Sequence, residues 1–233
     1  ILLTMSRGRD CAQLMRMVEN HKVDGVILMR TFTQDAHVEY LKTQNIPFVT
    51  VGSSNYQGVV QVDNDHRSAC RELVSILLMK NMKRIGLIGG IESHVVTQSR
   101  IQGYMDAHKQ AGVPVNQETV YVNVEKEVMI ERAVEKILAE GVDCIVCMDD
   151  AVCIHVLNKL RKEKIAIPDE MRVASFYDSS ILRNNLPSIT SLSFNARELG
   201  VVTCKVLMEL IDGNDVKPQT LLGYEVILKD STK

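Results

Sequence analysis

Apolar positions fall along this chain in two rhythms: short, mostly apolar runs, and longer stretches where apolar residues recur every three or four positions. The runs Val26–Met29, Phe48–Val51, Ile85–Ile88, Cys144–Met148, Arg172–Phe176 and Ile189–Leu192 predict strands. Further strands are predicted at Ile1–Met5, at a short stretch ending Gln61-Val62-Asp63-Asn64, weakly around Tyr121, and at Leu221–Leu228, which closes the chain. Between them lie helical stripes. Leu14, Met17 and Val18 mark one; another runs over about 35–43; Ala69, Leu73, Ile76 and Leu77 carry a third. Ile101, Met105 and His108 share the face of a helix that stops at Gly112, with Pro114 beyond, after a polar loop bearing His94, Thr97 and Ser99. Met129–Leu138 ends at Gly141, Val152, Val156 and Leu160 mark the next stripe, and Ala196–Ile211 is stopped by Asp212-Gly213-Asn214. Strand and helix alternate with short connections, which predicts parallel strands joined by right-handed crossovers. The expected fold is α/β, with two doubly wound parallel-sheet lobes and a cleft between them.

Composition narrows the function. With 45% hydrophobic residues the chain can build real cores, and a net charge of -2 gives it no basic footprint for nucleic acid. No apolar run approaches the ~20 residues of a membrane span. The first residues lack the basic start of a secretory signal, so a cytoplasmic chain with no membrane partner is expected. The six cysteines sit in apolar segments. Cys144 and Cys147 form a C-x-x-C, but side chains in a strand alternate faces, so these two should point to opposite sides and share no metal. No metal site and no cofactor are predicted. There is no G-x-S-x-G, no H-E-x-x-H and no Walker lysine, which leaves catalysis without a named nucleophile, and the chain is not read as an enzyme.

The order of motifs resembles the effector-binding core of the LacI/GalR family of bacterial transcription regulators, a periplasmic binding protein-like fold of type I. The resemblance covers nearly the whole chain. It rests on Val23-Asp24-Gly25-Val26-Ile27, Ile46-Pro47-Phe48-Val49, Val62-Asp63-Asn64, Lys83 through Gly89, Arg100-Ile101-Gln102-Gly103-Tyr104, Ile167-Pro168-Asp169-Glu170, Leu186 through Leu192, and Lys229-Asp230-Ser231-Thr232. It implies an N-terminal lobe of 1–64 plus 195–218 and a C-terminal lobe of 65–194 plus 219–233. It also implies one more strand and helix, and a helix-turn-helix DNA-binding head, upstream of Ile1 in the parent protein. A small-molecule effector, operator DNA contacted through that head, and a homodimer are the implied partners.

The resemblance puts Arg100 where relatives grip a ligand's polar groups, and a planar five-donor fork suits hydroxyls, carboxylates or a purine edge. Asp149 would accept hydrogen bonds from a ligand while Asp150 caps the following helix. Gly52 stands where sugar-responsive members carry an acid, and Tyr177 where they carry an aspartate. Met29, Tyr177 and Phe194 suggest a more apolar, partly aromatic site, better suited to a flat or less hydroxylated ligand, so the expected effector is sugar-like or flatter and less hydroxylated. His94 lies in a region that lines the cleft in relatives. Ile154, Ile181 and Leu182 are the expected dimer interface. Three alternatives compete: a transport solute-binding protein, a repressor core without effector in which Arg100 and Asp149 pair with each other, and an Asp149-Asp150 phosphoacceptor pair. The last lacks its further acids and lysine.

Overall fold

Helix and strand alternate from Ala12 onward in the computed structural model, which describes Leu2, Met5 and residues 10–233. In chain order the elements are α1 (Ala12–Glu19), β1 (Val26–Met29), α2 (Ala36–Thr43), β2 (Phe48–Val51), β3 (Val60–Asn64), α3 (His66–Met79) and β4 (Ile85–Ile88). There follow α4 (Val95–Ala111), β5 (Val120–Tyr121), α5 (Glu127–Ala139), β6 (Cys144–Cys147), α6 (Asp150–Lys162), β7 (Arg172–Ser175) and α7 (Ser180–Arg183). The last are β8 (Thr190–Ser193), α8 (Ala196–Ile211), β9 (Gln219–Leu222) and β10 (Glu225–Ile227). The strand expected at Ile1–Met5 lies largely outside the described residues.

Two compact units contain these elements. The first comprises Ile1–Asn64, Ser93–Val96 and Asn195–Leu222, and its sheet runs β1-β2-β3-β9 with every pairing parallel. Leu14 and Val18 of α1 and Leu41 of α2 form a small core with Val26, Leu28 and Phe48 of the sheet. Asp35 starts α2 by accepting hydrogen bonds from the His37 and Val38 backbone N–H groups, at 3.0 and 3.3 Å. Such a cap contributes about 1 kcal/mol.

The second unit comprises Asp65–Glu92, Thr97–Phe194 and Gly223–Lys233, with sheet order β10-β8-β7-β6-β4-β5. Its sheet is covered on both faces, and β6 shows why the sequence requires that. Cys144 and Val146 face a core with Leu73, Leu77 and Tyr104 of α3 and α4. Ile145 and Cys147 face the opposite core, with Ile130, Val134 and Ile137 of α5 and Val156 and Leu160 of α6. The period-2 alternation thus places the two cysteines of the C-x-x-C on opposite faces, each fully buried as a free thiol. Tyr104 is also fully buried, its hydroxyl donating to the Ile85 carbonyl at 2.7 Å.

Three expectations about elements are corrected. The closing apolar stretch Leu221–Leu228 is two strands, β9 and β10, interrupted at Gly223-Tyr224. β9 pairs in parallel with β3 in the first unit, and β10 pairs antiparallel with β8 in the second. The first unit therefore runs on to Leu222, beyond the expected limit of 218. Thr97 and Ser99 are not in a loop: α4 begins at Val95 and takes in both. Among the described residues, no helix is long and apolar enough to cross a membrane.

Candidate functional site

In the second unit, β8, β7 and β6 are parallel neighbours, and the residues just past their carboxyl ends are Phe194, Tyr177 and Asp149. Ligands in open parallel sheets bind beyond the carboxyl ends of strands. Arg100, in the second turn of α4, reaches this edge: its Nη1 donates to the Met148 carbonyl at the end of β6. That bond orients the guanidinium, and Nε stays buried without a hydrogen-bond partner. Among the described residues no ion pair joins Arg100 to Asp149, so the pairing considered for a ligand-free core is not formed.

Phe194 anchors an aromatic wall. Its ring lies 4.7 Å from that of His66, tilted by 58°, and 6.3 Å from that of Tyr177, nearly parallel at 23°. Tyr177 is 38% exposed. His66 opens α3 and is almost completely buried, so desolvation, with the nearby Arg100 charge adding to it, lowers its pKa from 6.5 to about 3. At neutral pH the imidazole is therefore uncharged, and Arg100 supplies the positive charge. Nothing in the local pattern distinguishes His66 beyond its place directly after the helix cap Asp65, which accepts from the Ser68 N–H at 3.0 Å.

The acids beside this wall are largely committed. Asp149 caps α6 by accepting from the Val152 N–H at 2.9 Å, while Asp150 is the first helical residue, so the capping role expected of Asp150 falls to Asp149. Asp149 has extended backbone dihedrals, as a capping residue must, and Asp150 does not precede the helix. Asp178, with a side chain only 4% exposed, accepts from Ser191 Oγ at 2.8 Å and pairs with Lys229 at 3.1 Å and Arg183 at 3.5 Å.

The remaining candidates belong to the first unit. Met29 ends β1 and is 72% exposed. Gly52 follows β2 with φ +106°, a conformation that disfavours any side chain, and an added Cβ would stand 3.2 Å from Thr31 Oγ1. The loop beyond it is held by Asp63, whose Oδ2 accepts from the Ser53 N–H at 2.7 Å and Oγ at 2.8 Å. His94 pairs through its backbone with Phe32, and the two rings meet edge-on at 4.9 Å. The structure thus gathers Arg100, Asp149, Tyr177 and Phe194 in one unit and Met29, Gly52 and His94 in the other.

The expected interface residues divide. Ile181 is 59% exposed and Ile154 is half-buried against the α5/α6 core. Leu182 is fully buried within that core, so it cannot meet a partner: in the short helix α7, adjacent residues point in different directions, and Leu182 takes the inward one. Among the described residues, no group of three or more histidine, cysteine or acidic side chains could hold a metal ion.

A family model described as the periplasmic binding protein-like domain matches residues 74–232. The transcriptional regulator RegA of Clostridium saccharobutylicum is 24% identical over 225 residues, covering 94% of this chain and 68% of RegA. The transcription regulator CcpA of Lactococcus lactis superposes with a TM-score of 0.86 at 23% identity, covering 95% of this chain and 82% of that one. The regulator CelR in complex with cellobiose gives 0.85 at 24% identity, covering 94% and 69%. The chain spans about two thirds of the length of the curated relatives it matches. With the covered parallel sheets, the motif order and a match over most of the chain together, it belongs to the periplasmic binding protein-like domain family, in the form found in LacI/GalR-type transcription regulators.

Proposed function

We propose that this chain is the effector-sensing core of a bacterial LacI-type transcription regulator, and that its effector is held by Arg100 against Phe194 and Tyr177. The observation that carries the reading is Arg100 itself, a half-buried cation held by the Met148 carbonyl at the carboxyl end of β6, the sheet edge where Tyr177 and Phe194 follow the neighbouring parallel strands. The likeness to regulators such as RegA, and to a CelR–cellobiose complex, supports a sensor over a transport protein. Asp149, at the same sheet edge, completes the proposed set in the second unit through the carboxylate oxygen that does not cap α6; Met29, Gly52 and His94 of the first unit are candidates on the family resemblance alone.

The mechanism is a population shift. An effector changes affinity for operator DNA only through its own differential affinity for two conformations of the regulator. A coupling of ~1–3 kcal/mol changes operator binding by ~5–150-fold. Two DNA-binding heads must meet two half-sites, so the core pairs with a second copy. Ile181 and Ile154 offer apolar surface for that contact. The test uses the full-length regulator on a fragment carrying its operator. A ligand that changes operator affinity in the wild type and has no effect on Arg100→Ala supports the reading; an effect of equal size in the variant refutes it.

A further inference from the structure

Resting on that reading, we propose that the effector is a flat conjugated ring carrying a delocalised negative charge, such as an aryl carboxylate or a deprotonated heterocycle, and not a polyhydroxylated sugar. Three features of the second unit favour this chemistry.

The first is charge. Arg100 has no ion-pair partner among the described residues, and one of its donors, Nε, is buried without a hydrogen bond. A half-buried guanidinium with no partner acid is stabilised when an anion pairs with it. Bidentate acceptance by a carboxylate or an ionised amide edge fits the guanidinium fork. The neighbouring imidazole of His66 is held neutral by burial and by Arg100, so it does not compete for the anion.

Shape is the second. Phe194 packs between His66 and Tyr177, and Tyr177 remains 38% exposed. Aromatic faces favour another planar ring beyond what the buried area alone supplies. A sugar ring is puckered and presents hydroxyls on its rim.

The third is a shortage of acceptors. Sugar hydroxyls are well held by carboxylates that accept their hydrogen bonds, and the two carboxylates that follow β6 and β7 have other tasks: Asp149 caps α6 through Oδ1, and Asp178 is held by Lys229, Arg183 and Ser191. Withdrawing either from its task leaves a helix end or a buried cation unpaired.

The test compares four probes in thermal melts of this chain, each at millimolar concentration: benzoate, urate, benzamide and cellobiose. Benzamide has the shape of benzoate without its charge. An anionic ring present at ~100 times its dissociation constant should raise Tm by roughly 5–10 °C. Benzoate or urate should give such a rise and so identify the carboxylate or heterocycle class, with benzamide giving much less and cellobiose none. The rise should vanish in Arg100→Gln and in Phe194→Ala and persist in Arg132→Ala, a change on the exposed face of α5. A cellobiose shift lost in Arg100→Gln would overturn the ligand class while leaving the sensor reading intact. No shift with any probe, or shifts retained in both site variants, would overturn both. The benzoate–benzamide comparison needs no variant, so a variant that fails to fold leaves the test standing.

Discussion

Gly103 carries the sharpest stability prediction, because the atoms it faces cannot move aside. A Cβ at this position would lie 2.3 Å from the Arg67 carbonyl oxygen, 2.9 Å from Cys70 Cβ and 3.1 Å from the Arg71 nitrogen. The first and last are backbone of α3, so Gly103→Ala cannot be relieved by a rotamer change. Non-bonded heavy atoms settle near ~3.5 Å, so α3 must retreat from α4 by roughly 1 Å. Overpacking of this kind costs ~1–3 kcal/mol, and a rigid backbone contact belongs at the upper end. Alanine in place of glycine returns ~1 kcal/mol of helix propensity, which leaves a net loss of about 2 kcal/mol. In a body of this size that lowers Tm by roughly 4–8 °C. Gly200 is the internal control: it too is helical, in α8, but nothing lies within 4 Å of its would-be Cβ. Gly200→Ala should raise Tm by roughly 1–4 °C through propensity alone. Thermal unfolding followed by far-UV circular dichroism reads both. A Gly103→Ala protein that melts at or above the wild-type temperature would refute the argument that the two helices touch through their backbones. Because His66 and Arg67 open α3, the same substitution should also weaken binding at the aromatic wall.

Asp149→Ala removes the α6 cap and should cost about 1 kcal/mol in urea denaturation, with Asp149→Ser recovering most of it. Lys229→Met strands the Asp178 carboxylate, 4% exposed, and should cost roughly 3–5 kcal/mol. Arg183→Met, whose side chain is 59% exposed, should cost under ~1 kcal/mol, and equal losses would show that Lys229 is not the partner that matters. His66 has a lowered folded-state pKa, so the unfolded chain takes up its proton first, and stability present above pH 6.5 is lost as pH falls toward about 3. Each pH unit in that window should remove up to ~1.4 kcal/mol per histidine. His108, lowered by burial, acts with the same sign. Urea titrations between pH 7 and pH 5, above the carboxylate range, should show the slope, and His66→Gln should lessen it; an unchanged slope would refute the assignment.

The strands β1, β2 and β4 begin and end where the expected runs do; β4 is buried throughout, and a sheet covered on both faces favours apolar residues along the whole strand. The strand break at Gly223-Tyr224 is marked only by the glycine and by Glu225 within an otherwise apolar stretch, and the division of the two halves between different sheets is what separates them. The capping aspartate was ambiguous by one position, since Asp149 and Asp150 are chemically identical and only backbone dihedrals distinguish cap from first turn. Ile181 and Leu182 pose the same problem on a four-residue helix too short to carry a period. At the candidate site, Phe194 and Tyr177 could be placed because they follow strands. The contact between His66 and Phe194 joins residues far apart in the chain and has no local signature.

Two adjacent residues after β6 serve the fold and the candidate site at once: the Met148 carbonyl holds Arg100, and the Asp149 carboxylate starts a helix. Divergence of specificity is thereby channelled. A descendant that changes Asp149 to suit a new ligand also frays α6, and so loses stability before it gains a new response. Tyr177 and Phe194 cap no helix and pair with no buried charge, so they are the positions at which such a sensor can change what it recognises while keeping its fold.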